Sequence, residues 1–154
     1  MAVKAARLAA ELRKFKRIGL DSSILIYHLG DTAPYSALTE VAFAEISAGA
    51  PEGLLSTIAI TEALVKPFAD GAPDSIAAFE RFVLSLPNTV LGAPGYLAAK
   101  EAARLRARYG IRAPDALLIA TAREEGAQAF LTNDTGLRRL KAEGLAILVL
   151  DDYL

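Results

Sequence analysis

Ile18-Gly19-Leu20-Asp21-Ser22-Ser23-Ile24-Leu25-Ile26-Tyr27 decides how the chain reads. Three apolar residues run into an acid and two serines, and a second apolar run follows at once. The pattern predicts a short buried strand that turns at Asp21 directly into a helix. On the N-terminal side, residues 4–16 predict a short basic helix, with Val3, Ala6, Leu8, Leu12 and Phe15 as its apolar members. Lys4, Arg7, Arg13, Lys14, Lys16 and Arg17 are not followed by the continuous apolar stretch of a secretory signal. Residues 1–16 therefore read as a basic N-terminal helical extension that docks one face on a domain spanning 17–154.

On the C-terminal side the same alternation continues. Residues 35–48 predict a helix, Pro51-Glu52-Gly53 a break, and Leu54-Leu55-Ser56 a second strand. A helix is expected from Ile58 to Lys66, stopped by Pro67, then a loop at Asp70-Gly71-Ala72-Pro73 and a helix from Ser75 to Leu84. Thr89-Val90-Leu91 reads as a third strand. Helices follow from Tyr96 to Tyr109, closed by Gly110, and from Pro114 to Glu125, closed by Gly126. Ala129 to Thr132 is a strand, Leu137 to Ala142 a short helix, and Ala146 to Leu150 the last strand. Short apolar strands alternating with helices imply an α/β sandwich around a parallel sheet. No internal repeat, low-complexity tract or linker interrupts it.

Composition narrows the function. The 154 residues are 53% hydrophobic with a net charge of -1, so global charge does not point to nucleic acid and any such contact needs a local patch. No apolar run is long enough to span a bilayer. The absence of cysteine excludes disulfides, thiolate metal sites and a cysteine nucleophile, and is compatible with a cytoplasmic location. The single histidine, His28, has no serine elbow to complete a triad, and reads as a packed or surface residue rather than a ligand. Neither a phosphate-binding loop nor a dinucleotide fingerprint is present.

Four acids carry the chemistry. Asp21 and Asp134 follow predicted strands, at the edge where open parallel sheets bind ligands. Asp115 shares a helical stripe with Leu118, Ile119 and Ala122, and Glu62 shares one with Ile58 and Val65. Each has an ordinary structural explanation: Asp21 as a helix cap, Glu62 on an exposed helix edge, Asp115 in a first helical turn, Asp134 in a turn. Taken together, four carboxylates at one sheet edge would repel strongly unless protonated or bound to a divalent cation. All-oxygen ligands suit Mg2+ or Mn2+, which can activate water for phosphodiester hydrolysis. Lys100, Arg104, Arg106, Arg108 and Arg112 form a basic helix and its exit, either a solvated face or, through Arg104, Arg108 and Arg112, a contact to RNA phosphates.

Gly19-Leu20-Asp21-Ser22-Ser23, Ser56 to Leu64, Ile111 to Ala122 and Phe130-Leu131-Thr132-Asn133-Asp134 occur in an order and spacing that resembles the PIN-domain nucleases, and within them the VapC-type toxins of toxin–antitoxin pairs. The resemblance runs from about Arg17 to the C-terminus; the basic segment before it departs from the pattern. It implies a PIN-like α/β/α sandwich and a homodimer. It also implies an endoribonuclease whose catalytic and metal-binding acids are Asp21, Glu62, Asp115 and Asp134, with Ser22 and Thr132 as polar supports. The implied cofactor is Mg2+ or Mn2+, and the implied partners are an RNA substrate and a cognate antitoxin. Two alternatives stand beside it. A non-catalytic PIN-like module that binds RNA or protein need not keep four acids. A phosphoryl-transfer or receiver domain would need a lysine near the acids, which is not found after Phe130-Leu131-Thr132.

Overall fold

Each strand is only four or five residues long, yet the inner ones bury nearly every side chain. β1 (Arg17–Leu20), β2 (Glu52–Ser56), β3 (Thr89–Gly92), β4 (Ala129–Thr132) and β5 (Ala146–Val149) form one sheet in the order β3-β2-β1-β4-β5, and all its pairings are parallel. All four residues of β4 and the last three of β1 are buried. Neighbouring side chains point to opposite faces of a strand, so such runs require cover on both faces. The result is an α/β/α sandwich. The structure, a computed structural model, describes residues 2–154; Met1, the first residue of the predicted extension, lies outside them.

The cover comes from α1 (Ala2–Leu12), α2 (Ser22–Leu29), α3 (Ser36–Ser47), α4 (Thr57–Ala69), α5 (Pro73–Leu84), α6 (Tyr96–Tyr109) and α7 (Ala113–Glu124). α7 packs against β1 and β2 and also against α6. Its close approach depends on Gly19: a Cβ there would lie 2.6 Å from Ala122 Cβ and 2.7 Å from Phe130 Cδ2. α1 buries Leu8 and Leu12 completely against α3 and the C-terminal 3-10 turn Leu150–Tyr153, and Arg13 reaches Glu45 with two hydrogen bonds of 2.7 Å. Arg7 lies over the Tyr153 ring, 5.2 Å from its centre. Among the described residues no helix is long and apolar enough to cross a membrane.

Several boundaries differ from expectation. Pro67 does not stop α4, which continues to Ala69. The proline removes one backbone donor near the helix end, where the turn is mostly exposed and Asp70 and Ala72 N–H close onto the Lys66 and Pro67 carbonyls. Glu52 and Gly53 belong to β2 rather than to a break. Gly53 allows close packing there: a Cβ would meet Thr89 Oγ1 at 3.1 Å and Ile46 Cδ1 at 3.3 Å, and these side chains would have to give way. The short helix before β5 is a 3-10 helix, Thr135–Glu143, and β5 ends at Val149.

The chain runs outward from β1 through β2 to β3, then returns to place β4 on the other side of β1. The direction of progression therefore reverses between β1 and β4. Ligands in such sheets bind beyond the carboxyl ends of the strands at that point.

Candidate metal centre

Asp21 is the first residue past β1 and caps α2. Its backbone N–H continues the sheet ladder to the Leu131 carbonyl at 3.0 Å. Its Oδ1 accepts the Ser22 N–H at 2.8 Å, which satisfies one orphan donor of the helix. Its Oδ2 accepts the Thr132 hydroxyl at 2.6 Å and the Ser23 hydroxyl at 3.2 Å. Strand end, helix cap and the neighbouring strand thus fix one carboxylate that is only 6% exposed.

Glu62 reaches the same place from α4. Ser22 Oγ lies 3.2 Å from Glu62 Oε1 and 3.4 Å from Asp21 Oδ1, so its one proton links the two acids. Asp115 enters from the first turn of α7, buried beside Leu118, Ile119 and Ala122. Oxygens of Asp21, Glu62 and Asp115 lie within 4.8 Å of one another. Burial raises the pKa of Asp21; hydrogen bonds from Thr132, Ser23 and the Ser22 N–H oppose the shift, and the nearby Asp115 adds to it. Carboxylates held this close and this dry favour either a proton or a cation. The three acids, all oxygen donors converging on one point, fit a hard divalent ion such as Mg2+ or Mn2+.

Asp134 is not brought into this trio. It is exposed and caps the 3-10 helix, with Oδ1 accepting the Gly136 N–H at 2.8 Å. Its backbone N–H donates to Thr132 Oγ1 at 3.0 Å, the hydroxyl that supports Asp21. Thr132, on the neighbouring strand, donates to Asp21, and the Ser22 hydroxyl lies against Asp21 and Glu62. Ser23, which stands in the motif Gly19-Leu20-Asp21-Ser22-Ser23 but carries no role in the sequence reading, also donates its hydroxyl to Asp21.

The basic residues divide. Arg104 and Arg108 engage Glu143 together with Arg123 and Tyr109, a cluster that lowers Glu143 to a pKa of about 2, chiefly through Arg104. Arg112 instead enters the acidic group. It donates from Nε and Nη2 to the two Asp115 oxygens, both at 3.0 Å, and lies 3.7 Å from Glu62. His28 lies elsewhere, packed against Phe43 and Phe82 with ring centres 4.6 and 5.0 Å away, and burial lowers its pKa.

The fold and the site define an α/β/α protein with buried acids gathered where its parallel sheet reverses direction. The PIN domain family model matches residues 18–143, and the chain belongs to that family. No curated protein matches it by sequence. Among solved structures it is similar to the DNA-bound VapBC of Salmonella typhimurium, with TM-score 0.66 and 18% identity over 88% of this chain and 98% of that one. VapBC2 of Rickettsia felis, bound to a promoter DNA fragment, gives TM-score 0.65 and 18% identity over 85% and 96%. A toxin–antitoxin complex from Klebsiella pneumoniae gives 0.59 and 19% over 84% and 95%. At these identities the likeness is one of fold.

Proposed function

We propose that the chain is an Mg2+- or Mn2+-dependent endoribonuclease that hydrolyses RNA phosphodiester bonds, and that it is the toxin of a toxin–antitoxin pair. The observation that carries this reading is the convergence of Asp21, Glu62 and Asp115 at the carboxyl edge of the sheet. Membership of the PIN family supports it. Similarity in fold to toxin–antitoxin complexes supports an antitoxin as partner; the family resemblance implies a homodimer, and the cysteine-free sequence is compatible with a cytoplasmic location.

Asp21, Glu62 and Asp115 would hold the metal, with Asp134 as the fourth acid of the family pattern. When bound, the cation supplies an activated water and stabilises the leaving oxygen. The protein's own contribution is positioning. Thr132, Ser23 and the Ser22 N–H aim Asp21, and the Ser22 hydroxyl ties it to Glu62. Partners of this kind hold a ligand in one orientation and strengthen its hold on the ion. Arg112, paired with Asp115 at the edge of the acids, would be the nearest contact to a substrate phosphate. Arg104 and Arg108, three arginines with Arg123 against the two acids Glu101 and Glu143, would be further contacts to RNA phosphates.

The test is cleavage of transfer, ribosomal and messenger RNA by the purified protein with Mg2+ or Mn2+ against chelator, alongside Asp21→Asn. Cation-dependent cutting that Asp21→Asn abolishes is the expected result. A folded wild-type protein that binds RNA or a partner but cuts nothing would make it a non-catalytic PIN-like binding module.

A further inference from the structure

Among the described residues, Arg112 is the one cation within ion-pairing distance of Asp21, Glu62 or Asp115. Its side chain is 68% exposed, whereas Asp115 and Glu62 are 7% and 21% exposed. The guanidinium therefore sits on the solvent side of two acids. Both Asp115 oxygens accept from it, at 3.0 Å each. Asp134 attracts it as well. Arg112 is the N-cap of α7 and has extended backbone, so its pair with Asp115 is not one of the side-chain pairs that run along a helix face. Arg104, Arg108 and Arg123 have Glu101 and Glu143 as partners instead. What holds Arg112 is the charge gathered at the site.

A divalent ion at these acids needs the same oxygen lone pairs. A bidentate guanidinium uses both oxygens of a carboxylate and cannot shed its charge to leave. We propose that Arg112 is an internal competitor of the cation: in the cation-free protein it is clamped on Asp115 and Glu62, and binding of Mg2+ or Mn2+ expels it toward solvent, where it can take a substrate phosphate. Cation binding is then an exchange. The apparent affinity is reduced by the fraction of molecules in which the acids are free, and the released arginine becomes available only once the ion is in place. The proposal rests on the metal-dependent reading above and assigns that site its regulation.

The experiment compares Mn2+ binding to the wild-type chain, Arg112→Gln and Arg108→Gln, by titration calorimetry and by electron paramagnetic resonance of free Mn2+, with circular dichroism as the check on folding. Arg108→Gln removes an equal charge that faces Glu143 instead. Arg112→Gln should tighten Mn2+ binding on the order of tenfold, and Arg108→Gln should stay within about twofold of wild type. In wild-type protein the Arg112 Nε–H resonance, assigned by its loss in Arg112→Gln, should shift or broaden as Mg2+ is added. A resonance that Mg2+ leaves in place overturns the competition. Equal Mn2+ affinity in wild type and Arg112→Gln overturns it too and leaves the metal-dependent reading standing. Equal tightening in both variants reduces the effect to distant charge and likewise overturns it. Absence of Mn2+ binding in all three proteins would overturn both readings together.

Discussion

Thr132 has one hydroxyl and uses it twice, donating to Asp21 and accepting from the Asp134 N–H. Thr132→Val keeps the shape and removes both bonds. It should cut Mg2+-dependent RNA cleavage by about 10–100-fold while the circular dichroism spectrum is unchanged; full activity would detach Thr132 from the chemistry. Asp21 itself has a dual effect. Its raised pKa means that the folded protein keeps this proton to higher pH than the unfolded chain does. Stability is therefore lost as pH rises from the ordinary aspartate range through the raised value. An asparagine has no charge to desolvate, so in chelator at neutral pH Asp21→Asn should melt above wild type, the opposite of its expected effect on the proposed RNA cleavage. A lower melting temperature would contradict the burial argument. Asp21 and Asp115 were legible because an acid at a strand end or on an apolar stripe must find a partner. Glu62 was found for a partly wrong reason: Val65 is 63% exposed, and the buried neighbours on α4 are Ala59 and Ala63. The pairing of Arg112 with Asp115 could not be read, because a base just before a helix and an acid in its first turn look the same at a solvated helix start.

At the scale of elements, the position of α7 decides whether Asp115 meets Asp21. Gly19→Ala would place a methyl into Ala122 and Phe130, pushing α7 from β1. It should destabilise the fold by about 1–3 kcal/mol in urea unfolding, the usual cost of overpacking, and weaken Mn2+ binding with it. Unchanged stability would mean that the helix yields without cost. The 3-10 helix Thr135–Glu143 is tied down by Glu143, which Arg104, Arg108, Arg123 and Tyr109 surround. A depressed carboxyl stabilises the fold above its unfolded-state value, and that contribution disappears as pH falls toward the folded value, here about 2. Glu143→Gln should lower the melting temperature at pH 7 by a few degrees, roughly, and narrow its gap to wild type as pH drops below the ordinary glutamate range. A gap that stays constant across that range would show that charge is not the cause. The strands and most helices were readable from apolar runs and glycine stops. Pro67 was not, because a proline in a final exposed turn forfeits too little to end a helix.

For the molecule as a whole, the parallel sheet followed from strands too apolar for one-sided exposure, and Asp21 at its reversal point followed from the sheet. Surface assembly is less legible, since exposed apolar residues have no period. Leu84, Tyr96 and Leu97 are 81%, 80% and 65% exposed, and the family resemblance implies a homodimer. Light scattering at micromolar concentration should give twice the 16.3 kDa chain mass; a monomer throughout would count against the homodimer. The capping of α2 by Asp21 and the place of Asp115 in the first turn of α7 have one more effect. Each helix presents the positive end of its peptide dipoles to the site, about half an elementary charge apiece. Together they offset about a third of the formal charge of three ionised acids, before Arg112 is counted. The field around the site is therefore weaker than the number of carboxylates suggests, and for the proposed RNA substrate the backbone itself would lower the repulsion that a cluster of like-signed groups presents.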